Sequence, residues 1–116
     1  MAAIDGVSQN APNEALQDLA SLLGDPATRE IVQLFLGDFP DSMRSLRRCS
    51  RNDQLRIVHG LRNSALHMGA EKLSKRLGIL EDSLAQGGDP LPPAEFEGAM
   101  ADFEAFATDL RRYAEA

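Results

Sequence analysis

The chain has no tryptophan, one cysteine, and five phenylalanines and one tyrosine among 116 residues. Each shortage excludes something. A lone Cys49 cannot close an internal disulfide, so the chain is not a stapled secreted module and fits a reducing compartment. Without cysteine pairs there is no zinc finger or thiolate cluster. No aromatics interleave with the basic residues, as a base-stacking surface needs, so nucleic acid is disfavoured. No apolar run approaches the ~20 residues of a membrane span, and the N-terminus carries no basic-plus-apolar leader. A cytoplasmic protein without membrane contact is expected. β-branched residues are scarce and nowhere alternate with polar ones, so strands are not expected.

What is present favours helices. The chain is 43% hydrophobic and 26% charged, with Ala and Leu dominant. Its length suits one domain over 1–116. Residues 1–11 have no periodicity and read as a loose lead-in. Pro12 suits a first helical position, and Leu16, Leu19, Leu22 and Leu23 form a short stripe before Gly24. Asp25-Pro26, an N-cap candidate followed by proline at the first position, signals a second helix running to about Cys49, with Ile31, Phe35, Phe39, Met43, Leu46 and Cys49 inward. Pro40 kinks it or divides it in two. Ser50 and Asp53 resemble a capping box for a third helix, which Gly69 ends or bends. A fourth helix from about Ala70 carries Leu73, Leu77, Leu80 and Leu84. Gly87-Gly88 and the connector 89–93 stop it. A fifth runs from about Pro92 to Tyr113 with Phe96, Met100, Phe103, Ala107 and Leu110 inward and Ala99 and Phe106 beside them. The expected fold is all-α: an antiparallel four-helix bundle with an additional short N-terminal helix.

The third helix is the one with an odd face. At about 100° per residue, Ile57, Val58, Leu61, Ala65 and Met68 share a buried arc. His59 points the other way, with Leu55, Arg62, Asn63 and Leu66 near it. A histidine facing water in mid-helix, with a cation one turn on and a leucine on either side, reads as a surface reserved for a partner. The charge pattern agrees. The net charge is −6, yet residues 44–76 hold nine basic and two acidic residues, net +7, and the remainder is −13. A basic zone around an exposed histidine suits an acidic surface or a phosphoryl group.

Other chemistry is thin. There is no nucleophile triad, glycine-rich phosphate loop or Glu-x-x-His pair for a di-iron site. His67 and Glu71 stand four apart, but Gly69 between them argues against a shared metal. No metal or cofactor site is expected on this chain.

The stretch Val58-His59-Gly60-Leu61-Arg62-Asn63-Ser64-Ala65-Leu66-His67-Met68-Gly69-Ala70 resembles the signature of the histidine phosphotransfer (HPt) domain family, approximately A-H-x-L-K-G-S-x-x-x-L-G-A. His59, Leu61, Ser64, Gly69 and Ala70 match. Val58, Arg62 and Met68 are conservative replacements. The likeness extends to Phe35, Leu36, Asp38 and Pro40, and to Leu73, Leu77, Leu80 and Glu81. Two departures stand out: Asn63 replaces the usual glycine beside the histidine, and Arg62 the usual lysine.

The resemblance implies a phosphocarrier rather than an enzyme with its own active site. His59 would take a phosphoryl group from an aspartate on the receiver domain of a hybrid histidine kinase and pass it to the receiver of a response regulator. Mg²⁺ would sit on the receiver. Arg62 would give cationic support, and Leu55, Arg56, Asn63, Leu66 and His67 would meet the partner. The chain itself would act as a monomer. The alternative is a non-catalytic bundle of the same kind that binds a receiver or kinase and regulates it without carrying phosphate.

Overall fold

The computed structural model describes residues 11–87 and 91–115. They are helical throughout, with no strand among them. Five helices follow in order: α1 (Glu14–Leu23), α2 (Asp25–Ser45), α3 (Arg51–His67), α4 (Glu71–Ala85) and α5 (Pro93–Glu115). A 3₁₀ turn, Leu46–Arg48, links α2 to α3. No helix among the described residues is long and apolar enough to cross a membrane.

Local chemistry sets these boundaries. Pro12 precedes the first helix rather than opening it: Asn13 caps α1, its Oδ1 accepting from the Leu16 amide at 2.9 Å. Asp25 is not the cap of α2. It is the first residue of α2, and its Oδ1 accepts from the Tyr113 hydroxyl at 2.7 Å, which pins the start of α2 to the end of α5. The second helix continues through Pro40 and stops at Ser45, short of Cys49, so the division into two helices at the proline does not occur. Ser50 caps α3 as the sequence suggests, its Oγ accepting from the Asp53 amide at 3.2 Å. Hydrogen bonds from Arg56 and Ser50 hold the Asp53 carboxyl below its ordinary 3.8. A carboxylate whose pKa is lowered on folding stabilises above its unfolded pKa and loses that contribution as pH falls through the folded one. Asp53→Asn should therefore flatten the decline of melting temperature below about pH 4, and an unchanged acid limb would contradict this.

Hydrogen bonds between helices fix which ends lie together. Arg51 Nη1, at the start of α3, donates to the carbonyl of Leu84 near the end of α4, so the two run antiparallel. Arg76 on α4 reaches Asp102 on α5 at 2.6 Å, across Gly98, where a Cβ would collide with the guanidinium. Arg29 and Gln33 on α2 donate to the carbonyls of Tyr113 and Ala114 on α5. Thus α3 packs on α4, α4 on α5, α5 on α2, with a lighter contact from α2 back to α3, while α1 lies on α2. The molecule is long for its size, 56 × 20 × 20 Å.

The core follows the expected stripes with shifts of one residue. Leu73, Leu77, Leu80 and Leu84 are all buried. On α2, Val32 is buried while Ile31 sits at the edge; on α5, Ala99 goes inward and Met100 does not. Phe39 and Phe103 stack at 4.4 Å with Phe35 tilted against both. Cys49 is only half-buried, outside the core, its thiol donating to the Ser45 carbonyl. Ala11, expected in the lead-in, is buried in the core; residues 1–10, and 88–90 of the expected connector, lie outside the described residues. The larger correction is α1. Leu16 and Ala20 are its buried face, whereas Leu22 is 82% exposed and Leu23 half exposed.

Gly69 joins α3 to α4 with φ +84°, and a Cβ there would lie 2.6 Å from the side chain of Asn13. That side chain also donates to the Met68 carbonyl at 2.8 Å, fastening α1 to the turn. Gly69→Ala combines a left-handed backbone penalty with displacement of the Asn13 cap, and should cost about 2–3 kcal/mol in denaturant unfolding. A cost below about 0.5 kcal/mol, the scale of an ordinary surface change, would contradict this.

Candidate functional site

His59 sits near the middle of α3, on the face opposite the buried Val58, Leu61 and Ala65. Its side chain is 58% exposed. Helix periodicity alone turns it outward, because the apolar arc must face α4 and the core. Its orientation is then fixed from α4. Nδ1 lies 2.9 Å from Oε2 of Glu81, a carboxylate only 20% exposed. The other oxygen of Glu81 accepts from Arg62 Nη1 at 3.0 Å. One carboxylate therefore holds both the ring and the cation.

This bond assigns the nitrogens. In the neutral ring, Nδ1–H donates to Glu81, and the free lone pair is left on Nε2. Asn63, one turn on, places its Nδ2 at 3.4 Å from Nε2, near the limit of hydrogen-bond length. Nε2 is thus a nucleophilic nitrogen on an exposed ring, touched only lightly.

Around it lies a shallow groove between α3 and α4 of about 840 Å³, lined by Arg62, Asn63, Leu66, Lys75, Ile79 and Asp82 among others. Leu66 and Ile79 are 54% and 55% exposed and flank the histidine. A second groove of about 880 Å³, between α1, α2 and α3, is mainly apolar and includes Leu19, Leu22, Leu34, Leu66 and His67. Leu66 borders both.

Of the residues proposed from sequence, His59, Arg62, Asn63 and Leu66 come together in the first groove. His67 is exposed and lines the second. Leu55 is half-buried against the core and lines neither. Arg56 points to solvent and pairs with Asp53 at 3.0 Å.

Folding pairs much of the basic zone expected around His59 with acids. Arg62 is tied to Glu81, Arg76 and Lys72 reach Asp102, and Arg44 pairs with Asp41. Arg62 and Lys75 in the groove are matched there by Glu71 and Asp82. Charge counted along the chain missed acids that folding brings in from α4 and α5.

From sequence, Glu81 enters only as the last position of the Leu73–Glu81 likeness, with no role in the site, and Ile79 does not enter. Glu81 is 22 positions from His59, so counting along one helix could not bring the two together. Ile79 breaks the polar face of α4, and an isoleucine outside the Leu73–Leu84 stripe was its signal. No family model matches the chain, and neither a curated protein nor a solved structure does.

Proposed function

We propose that this chain is an HPt-like phosphocarrier, with α2 to α5 as an antiparallel four-helix bundle and α1 laid along it. His59 relays a phosphoryl group between receiver-domain aspartates. The observation that carries the reading is the bond from Nδ1 to Glu81 on an exposed ring, which leaves Nε2 as the free nucleophile.

The step balances without a general base. The Nε2 lone pair attacks the phosphorus of a receiver acyl phosphate, the P–O bond to the aspartate breaks, and that bonding pair leaves on the carboxylate. The ring becomes a phosphorylated imidazolium. Its Nδ1–H stays on Glu81, whose negative charge faces the new positive one. In the second half, another receiver aspartate attacks phosphorus and the N–P pair returns to Nε2. Mg²⁺ belongs to the receiver, as the resemblance implies. Leu66 and Ile79 supply apolar contact beside the histidine, and the adjoining groove of α1 to α3 extends it.

The test is transfer from a phosphorylated receiver. Wild type should take up acid-labile, alkali-stable label, and His59→Gln should take up less than about a thousandth as much, as expected when a nucleophile is removed. Equal labelling of both would overturn the reading. Arg62→Ala should slow transfer roughly tenfold while leaving the melting temperature within a few degrees, since an exposed ion pair contributes little to stability. An unchanged rate would show the cation to be incidental.

One observation favours the second reading, a regulator that binds a receiver without carrying phosphate: the Asn63 amide stands over Nε2. Under that reading a receiver binds, and label never reaches His59.

A further inference from the structure

Among the described residues the Asn63 amide is the polar group in contact with Nε2, and the geometry points to a use for it. We infer that Asn63 is a phosphoryl-holding residue: its Nδ2–H donates to the phosphoryl oxygens once His59 is modified, and so lengthens the life of the N–P bond. The inference rests on His59 Nε2 as the modified atom, and it goes beyond the relay by giving the chain a storage role.

Asn63 stands four residues after His59, on the same helical face. At 3.4 Å from Nε2, its Nδ2 is too far for a strong bond to the nitrogen and is within hydrogen-bond reach of the oxygens that a phosphorus bonded there would carry. Of the two cations that line the groove, Arg62 is held by Glu81 at 3.0 Å and Lys75 comes from α4, whereas Asn63 is the group in contact with Nε2. Both Glu81 oxygens are themselves occupied, one by His59 and one by Arg62. In the unmodified protein the weak Asn63–Nε2 contact gives way easily to an incoming phosphorus. After transfer the same N–H meets a dianion, and a hydrogen bond to a charged acceptor is about twice as strong as one between neutral groups.

Loss of phosphate to water proceeds by attack of water oxygen on phosphorus. The N–P bond breaks, its pair returns to Nε2, and inorganic phosphate leaves. A donor on the ground-state oxygens resists the movement that lets water in. Removing it should shorten the half-life about five- to tenfold, the net effect of one ordinary solvent-exposed hydrogen bond. A carboxylate at the same place repels the dianion and should shorten it further.

The full chain is phosphorylated with phosphoramidate, which requires no partner. Half-lives of the Nε2 phosphohistidine are then followed by ³¹P NMR for wild type, Asn63→Ala and Asn63→Asp. Alanine keeps the helix, so loss of folding does not confuse the result. The expected order is wild type longest, alanine about five- to tenfold shorter, and aspartate shorter still. The Asn63 side-chain amide resonances should also shift on phosphorylation. Equal half-lives, or amide resonances that do not move, overturn the inference. So does failure of phosphoramidate to modify Nε2, which would mean that the nitrogen is not open. The relay is read separately: if labelled chain keeps its phosphate against every receiver while the half-lives differ as stated, the relay fails and the Asn63 role stands.

Discussion

Phe103→Ala should remove about 3–5 kcal/mol of folding stability. Phe103 is fully buried, stacks on Phe39 at 4.4 Å and meets Phe35 at 5.7 Å. This chain has few aromatic rings, and three of them meet at one point between α2 and α5. Deleting the α5 ring of this trio leaves a cavity that two helices tied at their far ends cannot close by sliding: Tyr113 and Arg29 hold the end of α5 to the start of α2. Against a typical total of about 5–15 kcal/mol, the variant should be close to unfolding at 37 °C. Leu66→Ala, at an exposed position, should change stability by less than about 0.5 kcal/mol. A cost for Phe103→Ala below about 1 kcal/mol in denaturant unfolding would show that the α2–α5 seam is not the centre of the core.

Glu81→Ala should slow phosphoryl transfer to His59 by about 10- to 100-fold while leaving the bundle folded. The carboxylate does two things at once. It selects the ring form with its lone pair on Nε2, and it faces the positive charge that grows on the ring as the N–P bond forms. A hydrogen bond to a charged group contributes about 1.5–3 kcal/mol, which converts to that range of rates. Glu81→Gln keeps an acceptor but not the charge and should fall between the two. Receiver affinity should barely change, because Glu81 is mostly covered and lies behind the histidine. Equal slowing and weakening of binding would mean that the residue shapes the docking surface instead.

The sequence made some of this legible and hid the rest for identifiable reasons. The α3–α4 hairpin was readable because both helices carry an apolar stripe at helical spacing and the turn between them takes a glycine at positive φ. The outward direction of His59 followed from the same periodicity. The α1 stripe misled: Leu16 and Ala20 take the buried face, while Leu22 lines the open groove shared with α2 and α3 and Leu23 is half exposed. Ile31 against Val32, and Met100 against Ala99, are one-position errors of the kind a wide apolar arc permits. Asp25 looked like a cap because Asp-Pro usually begins a helix so, whereas its partner Tyr113 is 88 residues away. The site was half visible. Local neighbours of His59 could be placed by counting along one helix. Glu81 comes from another helix, and the distance between His59 and Glu81 depends on the register of α3 against α4.

The most direct measurement is the protonation pattern of the His59 ring, from long-range ¹H–¹⁵N correlations of the full chain at a pH where the ring is neutral. The account predicts a proton on Nδ1 and a bare Nε2, with this preference reduced in Glu81→Ala. A proton resident on Nε2 in the wild type, unaffected by Glu81, would contradict it.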